Sequence, residues 1–440
     1  MMGIPESTTA QEVVHDMQLN RRQFANVLAA APLLSAASAA EIAPSGAPAS
    51  SRSWFRDARF GMLIHYGLYS TLERGEWVMH YENIPPAEYQ KRISLFNPSK
   101  FDARAWVDLA KAAGQRYMTV TSKHHEGFSM FRTATSDFGI MHSPFGRDLI
   151  GELATECHRQ EMPLFFYFSL MDWNNPAYRE SMKPKTPVSA AFLDVVRTQL
   201  RELCTQYGKI AGIWFDGGWD HTPEQWHSAE LLSLIRGLQP EALINDRSGL
   251  PADFSTPEQE LGHRPEKDDG RLREACLTIN DDWGYARTDS RYKPAATLIQ
   301  MLATAASSDA NVLLNVGPQP TGVIQPEFVE RLHAVGAWLS KNGTAIYATR
   351  PGPGVYYTAT ASTARGNTRF LHIFNWPVGA SLRMDYTVKG QIRRAYVVED
   401  GSPFPFDHTA SGDITTTATN KGWSAEDCVV AFETDTDQTA

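Results

Sequence analysis

The sequence predicts an α/β fold: a (β/α)8-like barrel followed by a C-terminal antiparallel β-sandwich. Across residues 59–318, apolar strand-like segments alternate with longer segments of helical periodicity, which is the pattern of a parallel sheet. Polar residues follow the ends of these strands, where barrels of this type place their chemistry. From residue 350 the pattern changes to short alternating segments separated by turn-forming residues, which indicates antiparallel strands.

The predicted barrel has seven clear strands, and one further strand is expected to be weak or irregular. The seven are 59–67, 116–125, 162–173, 210–218, 241–247, 275–280 and 311–318. Amphipathic helices are predicted between them at 101–114, 147–160, 191–208 and 296–308. A doubly wound open sheet is the alternative, but no glycine-rich phosphate loop follows the first strand.

The predicted sandwich begins after the barrel and completes the domain organisation. Its strands are expected at 354–362, 368–377, 381–388, 392–399 and 428–434. No cluster of ionisable residues falls there, so we expect a structural role. The sequence thus divides into a signal peptide, a linker rich in Pro, Ala and Ser, a catalytic barrel and a β-sandwich, at 1–40, 41–53, 54–349 and 350–440.

Length and composition predict a folded protein with a large core, since the chain has 440 residues of which 42% are hydrophobic. A net charge of −9 without a long basic run argues against nucleic acids and anionic membranes as partners. The eleven tryptophans weakly favour carbohydrate, because flat aromatic faces cover the C–H faces of sugars. The four cysteines lie far apart without metal or disulfide spacing, so buried thiols are expected.

The N-terminal segment resembles a twin-arginine export signal. The segment NRRQF (20–24) precedes the apolar run ANVLAAAPLLSAASAA (25–40), which contains the small-residue cleavage pattern Ala-Ser-Ala. A bilayer-spanning helix needs about 20 apolar residues, and this run is shorter. We therefore expect a periplasmic or secreted protein without membrane association after signal cleavage. The oligomeric state is not predicted.

The segment IWFDGGWD (213–220) suggests where the chemistry lies, because an apolar strand ends on a carboxylate among tryptophans. Polar residues follow the other predicted strands in the same way. They are His65, His124, His125, Asp172, Asn245, Arg247, Asp281 and Asn315. Because the carboxyl ends of barrel strands converge on one rim, Asp216 is predicted to face a pocket there.

Two carboxyl groups about 5 Å apart are needed to cleave a glycosidic bond with retention of configuration. Asp216 suits the nucleophile. Its partner is expected from a later rim loop, where DFSTPEQELG (253–262) offers Glu258 and Glu260, and Glu274 follows. These residues alone leave the choice among the three glutamates open.

The histidines allow an alternative, a metal site made of His124, His125 and Glu126 with His65 and Asp216. If the second strand continued through them, however, the adjacent His124 and His125 would point to opposite sides. A sugar-binding site does not require these residues to converge on a single ion, as a metal site would. Neutral imidazoles and Arg247 donate hydrogen bonds to ring hydroxyls, while Trp77 and Trp283 supply apolar walls. No metal or other cofactor is predicted.

Nine segments resemble the α-L-fucosidases of glycoside hydrolase family 29, and they occur in family order. They are WFRDARFGMLIHYGLYS (54–70), GEWVMHY (75–81), TSKHHEGFSMF (121–131), FYFSLMDW (166–173), IWFDGGW (213–219), INDR (244–247), STPEQE (255–260), LTINDDWGY (277–285) and NVLLNVGP (311–318). The resemblance implies a retaining exo-hydrolase of terminal fucose with a barrel, a C-terminal sandwich and no metal requirement.

The resemblance also implies roles for individual residues. Asp216 corresponds to the family nucleophile and Glu258 to its acid/base. Six further residues match fucose-binding positions, with Trp283 under the sugar methyl: His65, Trp77, His124, His125, Arg247 and Trp283. STPEQE and LTINDDWGY look most like the branch that prefers α-1,3/1,4-linked fucose in branched oligosaccharides. A fucose-binding lectin without catalysis and a metal-dependent barrel hydrolase are the alternatives.

Two residues depart from the family pattern. Arg273 precedes Glu274 where many relatives have Trp, which puts contacts to the leaving group in doubt. Phe168 stands where several relatives have Tyr, so one hydroxyl contact to the sugar or nucleophile is expected to be missing.

Overall fold

The computed structural model describes residues 46–183, 186–261, 270–352, 360–408 and 413–439. The predicted signal peptide at 1–40 lies outside the described residues, as do the first five residues of the predicted linker and most of the predicted strand 354–362. Within the described ranges, no helix combines the length and apolar character that crossing a bilayer requires.

Eight parallel strands of the described chain form a nearly closed barrel, in the order β5-β4-β3-β2-β1-β8-β7-β6. A bridge between Asn245 and Phe254 joins the two edge strands. The strands are β1 Phe60–Ile64, β2 Met118–Lys123, β3 Leu164–Ser169, β4 Gly212–Asp216, β5 Leu243–Ile244, β6 Phe254–Ser255, β7 Leu272–Thr278 and β8 Asn311–Val316. The predicted fold class is confirmed, and the irregular strand is β6, whose two residues are too few to show a periodicity.

The strands appear in the sequence as continuous apolar runs because both of their faces are covered. Every residue of β1, β2, β3, β4 and β8 is buried. Side chains alternate along each strand between the barrel interior and the surrounding helices. Side chains at the carboxyl ends of β1 to β8 therefore project towards the same rim.

The helices of the described chain surround the barrel, and the first of them packs against its amino-terminal end. They are α1 Ala49–Ala58, α2 Val78–Tyr81, α3 Pro86–Gln90, α4 Ala103–Ala112, α5 Leu149–Arg159, α6 Pro176–Ser181, α7 Ala190–Gln206, α8 Ser228–Leu238, α9 Ala295–Ser307 and α10 Pro326–Asn342. Short 3-10 helices span Leu68–Leu72, Lys91–Leu95, Ile140–His142 and Gly343–Ala345. The sequence analysis predicted α4, α5, α7 and α9 but did not identify α8 or α10.

Helix α1 begins inside the predicted linker 41–53. Its Phe55 is fully buried against Tyr117, Phe165 and Phe254 at the amino-terminal end of the barrel. A Pro/Ala/Ser-rich composition does not reveal this helix, because tertiary contacts of one aromatic residue hold it in place.

Two antiparallel sheets form the C-terminal region. One has the order β13-β16-β11-β10-β9 and the other β12-β15-β14, and apolar residues of both sheets share one core. The strands are β9 Arg350–Pro351, β10 Thr360–Arg365, β11 Thr368–Phe374, β12 Ser381–Thr387, β13 Ile392–Val397, β14 Asp407–His408, β15 Asp413–Thr419 and β16 Asp427–Thr434. The larger sheet packs on the barrel through Ala361, Phe370 and Val429.

Candidate active site

Asp216 is the last residue of β4, and its carboxylate lies at the rim of the barrel with only 7% of its surface exposed. Gly217 follows with a φ of +71°. A Cβ at Gly217 would lie 2.9 Å from the Met171 side chain and 3.0 Å from Ser169 Oγ. Glycine is therefore required there both by the backbone conformation and by the close approach of β3.

Three side chains surround the carboxylate of Asp216. The Tyr167 hydroxyl donates to Oδ2 at 2.6 Å, Arg247 Nη1 donates to Oδ1 at 3.1 Å, and His125 Nε2 lies 3.7 Å from Oδ2. Burial alone would raise the pKa of Asp216, but the Arg247 guanidinium and the Tyr167 hydroxyl outweigh it and lower the pKa to about 2. Asp216 is consequently ionised at neutral pH.

Arg247, which follows β5, connects the two carboxylates that the sequence analysis paired. Its Nη2 lies 3.1 Å from Glu258 Oε2, while Nη1 contacts Asp216. Thr256 fixes the guanidinium by accepting from Nε at 2.8 Å, and the indole of Trp214 lies under it at 4.7 Å. One planar fork therefore holds Asp216 and Glu258 towards the same space.

Glu258 reaches this position because the segment after β6 runs alongside β7. Cys276 donates its backbone N–H to Pro257 O, and Gln259 donates to Cys276 O. About a third of the Glu258 side chain, 31%, remains exposed. Of the three candidate glutamates, Glu258 faces Asp216, whereas Glu260 is exposed.

Glu274 lies at the opposite, amino-terminal end of the barrel interior. It is 1% exposed, and it accepts hydrogen bonds from the Tyr117 hydroxyl at 2.6 Å and from Trp214 Nε1 at 2.8 Å. Burial raises the pKa of Glu274 to about 7. Glu274 is therefore not placed to act with Asp216.

The adjacent histidines lie together, against the expectation that they would point to opposite sides. Strand β2 ends at Lys123, and a turn follows in which Gly127 N–H donates to His124 O. The ring centroids of His124 and His125 are 4.1 Å apart. Strand alternation no longer applies beyond the end of the strand, so both rings are close to the site.

His125 and His65 are held by hydrogen bonds at Nδ1. His125 Nδ1 lies 2.7 Å from Ser169 Oγ, and His65 Nδ1 lies 2.9 Å from Asn315 Oδ1. Burial lowers the pKa of His65 to about 3 and that of His125 well below its ordinary value. Both imidazoles are thus neutral at physiological pH.

Aromatic rings form the walls of the site. Trp283 lies 5.3 Å from His65, and Trp77 lies 5.2 Å from His125 and 5.1 Å from Trp173 between ring centroids. Beyond them opens a cavity of about 370 Å³, lined by Trp77, His80, Met171, Trp173, Tyr178, Ser181, Met182, Lys183, Thr186, Trp219, Asp220, His221 and Gln225. Trp219 is 54% exposed at this opening.

Comparison with known proteins identifies the family. The family model described as alpha-L-fucosidase matches residues 32–344, well over half of the chain. The chain belongs to the α-L-fucosidase family. Its members are glycoside hydrolases, and this chain is one of them.

This fucosidase has relatives among curated proteins and among solved structures. It is 31% identical to human tissue alpha-L-fucosidase over 368 residues, which cover 76% of this chain and 78% of the relative. Alpha-L-fucosidase isoenzyme 1 from Paenibacillus thiaminolyticus has 33% identity and a TM-score of 0.80, covering 87% of this chain and 98% of its own.

A third similar structure is described as a family 29 trapped covalent intermediate. It comes from a Bacteroides thetaiotaomicron alpha-L-fucosidase in complex with 2-fluoro-fucosyl fluoride. That structure has 29% identity to this chain and a TM-score of 0.80, covering 89% of this chain and 97% of its own.

The two departures from the family pattern lie away from the rim pocket of this fucosidase. Phe168 points out of the barrel, where Lys123 Nζ lies 4.4 Å from its ring centroid. The hydroxyl on Asp216 comes from Tyr167, one residue earlier, so Phe168 removes no contact to Asp216. Arg273 lies in the amino-terminal half of β7, and its guanidinium donates to Ser308 O.

Sequence analysis missed two residues of the rim pocket, Tyr167 and Ser169. Both lie on β3, and alternate residues of a strand face the same side. A hydroxyl at 167 and another at 169 therefore point into the barrel, while Phe168 points outwards. This alternation was the available signal, hidden because the whole segment is aromatic and apolar.

The histidines and carboxylates do not form the metal site that was considered as an alternative. Within the described residues, no group of three or more His, Cys, Asp or Glu side chains is arranged to hold a metal ion. His125 and His65 instead have their Nδ1 atoms occupied by Ser169 and Asn315. The four cysteines are buried as free thiols, as predicted: Cys157, Cys204, Cys276 and Cys428.

Proposed function

We propose that this chain is a retaining exo-α-L-fucosidase that releases terminal α-linked fucose from oligosaccharides by double displacement. Asp216 is the nucleophile and Glu258 is the general acid and base. The observation that carries the proposal is the position of Arg247, which contacts both carboxylates at 3.1 Å. Retaining glycosidases need two carboxyl groups that face each other across the scissile bond.

In the first step Asp216 attacks the anomeric carbon of fucose. The bond from that carbon to the leaving oxygen breaks, Glu258 gives its proton to that oxygen, and a fucosyl ester of Asp216 forms. A pKa of about 2 keeps Asp216 ionised and ready to attack. The Tyr167 hydroxyl orients the carboxylate through its hydrogen bond to Oδ2.

In the second step Glu258, now a carboxylate, removes a proton from water, and this water displaces Asp216 from the anomeric carbon. Esterification of Asp216 leaves Glu258 as the remaining carboxylate at the Arg247 guanidinium. The covalent intermediate trapped in the Bacteroides relative supports the two-step course.

Fucose binding is assigned to residues around this pair. His65, His124, His125 and Arg247 hydrogen-bond the ring hydroxyls, and Trp77 and Trp283 cover the apolar faces. The neutral state of His65 and His125 supports this role, because a neutral imidazole both donates and accepts. The fixed Nδ1 contacts of these two rings leave Nε2 for the sugar.

The substrate is proposed to be a branched oligosaccharide with α-1,3/1,4-linked fucose. Its support is the STPEQE and LTINDDWGY segments and the cavity of about 370 Å³ beside His125. The indoles of Trp77, Trp173 and Trp219 at that cavity offer flat faces to a neighbouring sugar. We further propose export through the signal at 1–40, with a catalytic barrel at 54–349 and a sandwich at 350–440.

The test is fucose release by the mature chain from an α-1,3/1,4-fucosylated branched oligosaccharide, run beside an aryl α-L-fucoside and followed by proton NMR. We expect α-fucose as the first product and a preference for the oligosaccharide. β-Fucose as the first product would contradict double displacement, and equal rates on both substrates would contradict the linkage preference. Sugar binding by calorimetry without any release would instead support a lectin.

A further inference from the structure

Glu126 is a fully buried carboxylate directly behind the sugar-facing histidines. Both of its carboxyl oxygens are buried without a hydrogen-bond partner in the described structure. It approaches His124, whose Nδ1 lies 3.4 Å from Glu126 Oε2 and is likewise buried without a hydrogen-bond partner in the described structure. This carboxylate takes no part in the mechanism proposed above.

The surroundings of Glu126 are crowded and partly charged. Lys123 on β2 and Asp172 after β3 interact with it electrostatically, as do the buried Tyr69 and Tyr89. The Lys123 ammonium lies on the Phe168 ring at 4.4 Å. A Cβ at Gly67 would lie 2.9 Å from Glu126 Oε1.

A carboxylate in such a position costs stability, because burial removes water that is not replaced by hydrogen bonds. Asp172 obtains compensation from the backbone N–H groups of Asn174 and Asn175, but within the described part of the chain no group donates a hydrogen bond to Glu126. Residues that reduce stability in this way are expected where function requires them. The nearest functional group that Glu126 contacts is the imidazole of His124.

The ring of His124 is held on its other sides by the site itself. It stacks on Tyr167 with an interplanar angle of 12°, and its centroid lies 4.1 Å from His125 and 5.7 Å from His65. Because Nδ1 is the ring nitrogen that approaches Glu126, Nε2 is the nitrogen left for a ligand. A partner at one imidazole nitrogen fixes which nitrogen carries the proton.

We propose that Glu126 is a positioning residue that accepts the Nδ1–H of His124. It thereby fixes the tautomer and orientation of that ring, so that Nε2 presents a lone pair to a sugar hydroxyl. The inference rests on the proposed function, since it assumes that His124 binds fucose. It adds a residue that acts through His124 and does not touch the substrate.

The first experiment compares Glu126→Met, which removes the acceptor, with Glu126→Gln, which keeps one acceptor oxygen. We expect kcat/KM for fucoside hydrolysis to fall about tenfold in Glu126→Met and less in Glu126→Gln. The melting temperature should stay unchanged or rise, because a buried carboxylate without hydrogen-bond donors is removed while Asp172 still interacts with the Lys123 ammonium. A purely structural role would lower the melting temperature and leave kcat/KM of the folded enzyme unchanged, which would overturn the proposal.

A matched control is Glu202→Met on α7. Glu202 is another buried carboxylate, and it accepts the Ala134 backbone N–H at 2.8 Å. This variant should show the opposite pattern, a lower melting temperature with unchanged kcat/KM. A fall in kcat/KM as large as that of Glu126→Met would show that loss of any buried carboxylate has this effect, and would overturn the proposal.

A double-mutant cycle tests whether Glu126 acts through His124. In a His124→Ala background, Glu126→Met should change kcat/KM by less than about twofold, because the ring to be positioned is gone. Additive effects would overturn the proposal. A competing explanation is that Glu126 only neutralises Lys123, and a second cycle with Lys123→Met tests it. Coupling of Glu126 to Lys123 without coupling to His124 would also overturn the proposal.

The tautomer of His124 can also be measured in the wild-type protein. This measurement does not depend on whether a variant folds or on enzyme activity. Nitrogen-15 NMR of histidine-labelled protein, assigned with His124→Ala, should show His124 protonated at Nδ1. An Nε2–H tautomer would overturn the proposal even in an active enzyme. Failure of the wild-type enzyme to release fucose would instead count against the proposed function and leave the tautomer result standing.

Discussion

The two ends of the barrel interior each hold a buried carboxyl group, and the pKa values of the two are shifted in opposite directions. At the carboxyl-terminal rim, Asp216 contacts Arg247 and has a pKa of about 2. At the amino-terminal end, Glu274 accepts hydrogen bonds only from the neutral donors Tyr117 and Trp214 among the contacts described, and its pKa is raised to about 7. Trp214, which contacts Glu274, lies only two residues before Asp216 on β4, so the two carboxyl groups have different surroundings within the length of one strand.

The difference shows that burial does not by itself decide the state of a carboxylate. Burial raises the pKa of both groups. At Asp216 the Arg247 guanidinium and the Tyr167 hydroxyl together outweigh burial, whereas at Glu274 the hydrogen bonds from Tyr117 and Trp214 and the charge of Arg247 do not. The rim thus holds an ionised carboxylate, the proposed nucleophile, whereas the carboxyl group at the opposite end is readily neutralised and is hydrogen-bonded by Tyr117 and Trp214. This division matches the general rule that such barrels separate catalysis from stability.

The largest expected effect is that of Asp216→Ala. Without the nucleophile, kcat should fall about ten-thousandfold or more. Sodium azide should restore turnover and yield β-fucosyl azide, because azide attacks from the side that Asp216 occupied. Turnover close to that of the wild type, or rescue that gives the α-azide, would contradict the assignment of Asp216.

Glu258→Gln tests the second rim carboxylate. Hydrolysis of the oligosaccharide should fall about a thousandfold, because its leaving oxygen needs a proton. A dinitrophenyl fucoside should lose much less in the first step, since its leaving group departs without protonation, and a burst of dinitrophenol is expected. Glu260→Gln is the matched control and should behave as the wild type. Equal losses on both substrates would argue against an acid role.

Arg247→Met would remove the guanidinium that contacts Asp216 at the rim. We expect kcat/KM to fall about a hundredfold and the pKa of Asp216 to rise, because the largest effect that offsets burial is lost. Since Asp216 must be ionised, activity should now be lost as pH falls through the raised pKa, well above the wild-type value of about 2. A pH profile of kcat/KM checks this, with Arg273→Met as control. An unshifted acid limb would contradict the role of Arg247.

The neighbouring residues Tyr167 and Phe168 allow the inner and outer faces of β3 to be compared. Tyr167→Phe removes the hydroxyl on Asp216 and should lower kcat/KM about tenfold. Phe168→Tyr adds a hydroxyl on the outer face beside Lys123 and should change kcat/KM by less than about twofold. A gain of activity in Phe168→Tyr would mean that a contact to the site is indeed missing there.

The smallest effect on activity is expected for Glu274→Gln, with kcat/KM within about twofold of the wild type. Its effect is on stability. Because the pKa of Glu274 is raised from 4.5 to about 7 in the folded state, its contribution to the free energy of unfolding is full below about pH 4 and is lost as pH rises through 7. The wild type should lose on the order of 3 kcal/mol over this range from this group. Urea unfolding at pH 5 and pH 8 should show a smaller loss in the variant, and identical pH dependence would contradict the assignment.

Much of the fold was predictable because parallel strands buried on both faces leave continuous apolar runs, as in β3 and β8. Strand β6 was not, because its two residues are held by pairing with Leu272 and Arg273 and leave no periodicity. Helix α1 was hidden by a linker-like composition, although Phe55 anchors it. For the site, strand-end position identified Asp216, but only the family resemblance singled out Glu258 among three glutamates.

The sequence by itself determined the barrel and sandwich, the family, and the residue types gathered at the strand ends, because local periodicity and motif order are written along the chain. The tertiary structure decided what depends on distance between remote segments. In the folded protein Glu258 lies beside Arg247, and Glu274 is buried at the other end of the barrel. The rings of His124 and His125 lie together, and the Tyr167 hydroxyl donates to Asp216. Electrostatic energies depend on burial and on separations of a few Å, and these are fixed only when the strands close into a barrel.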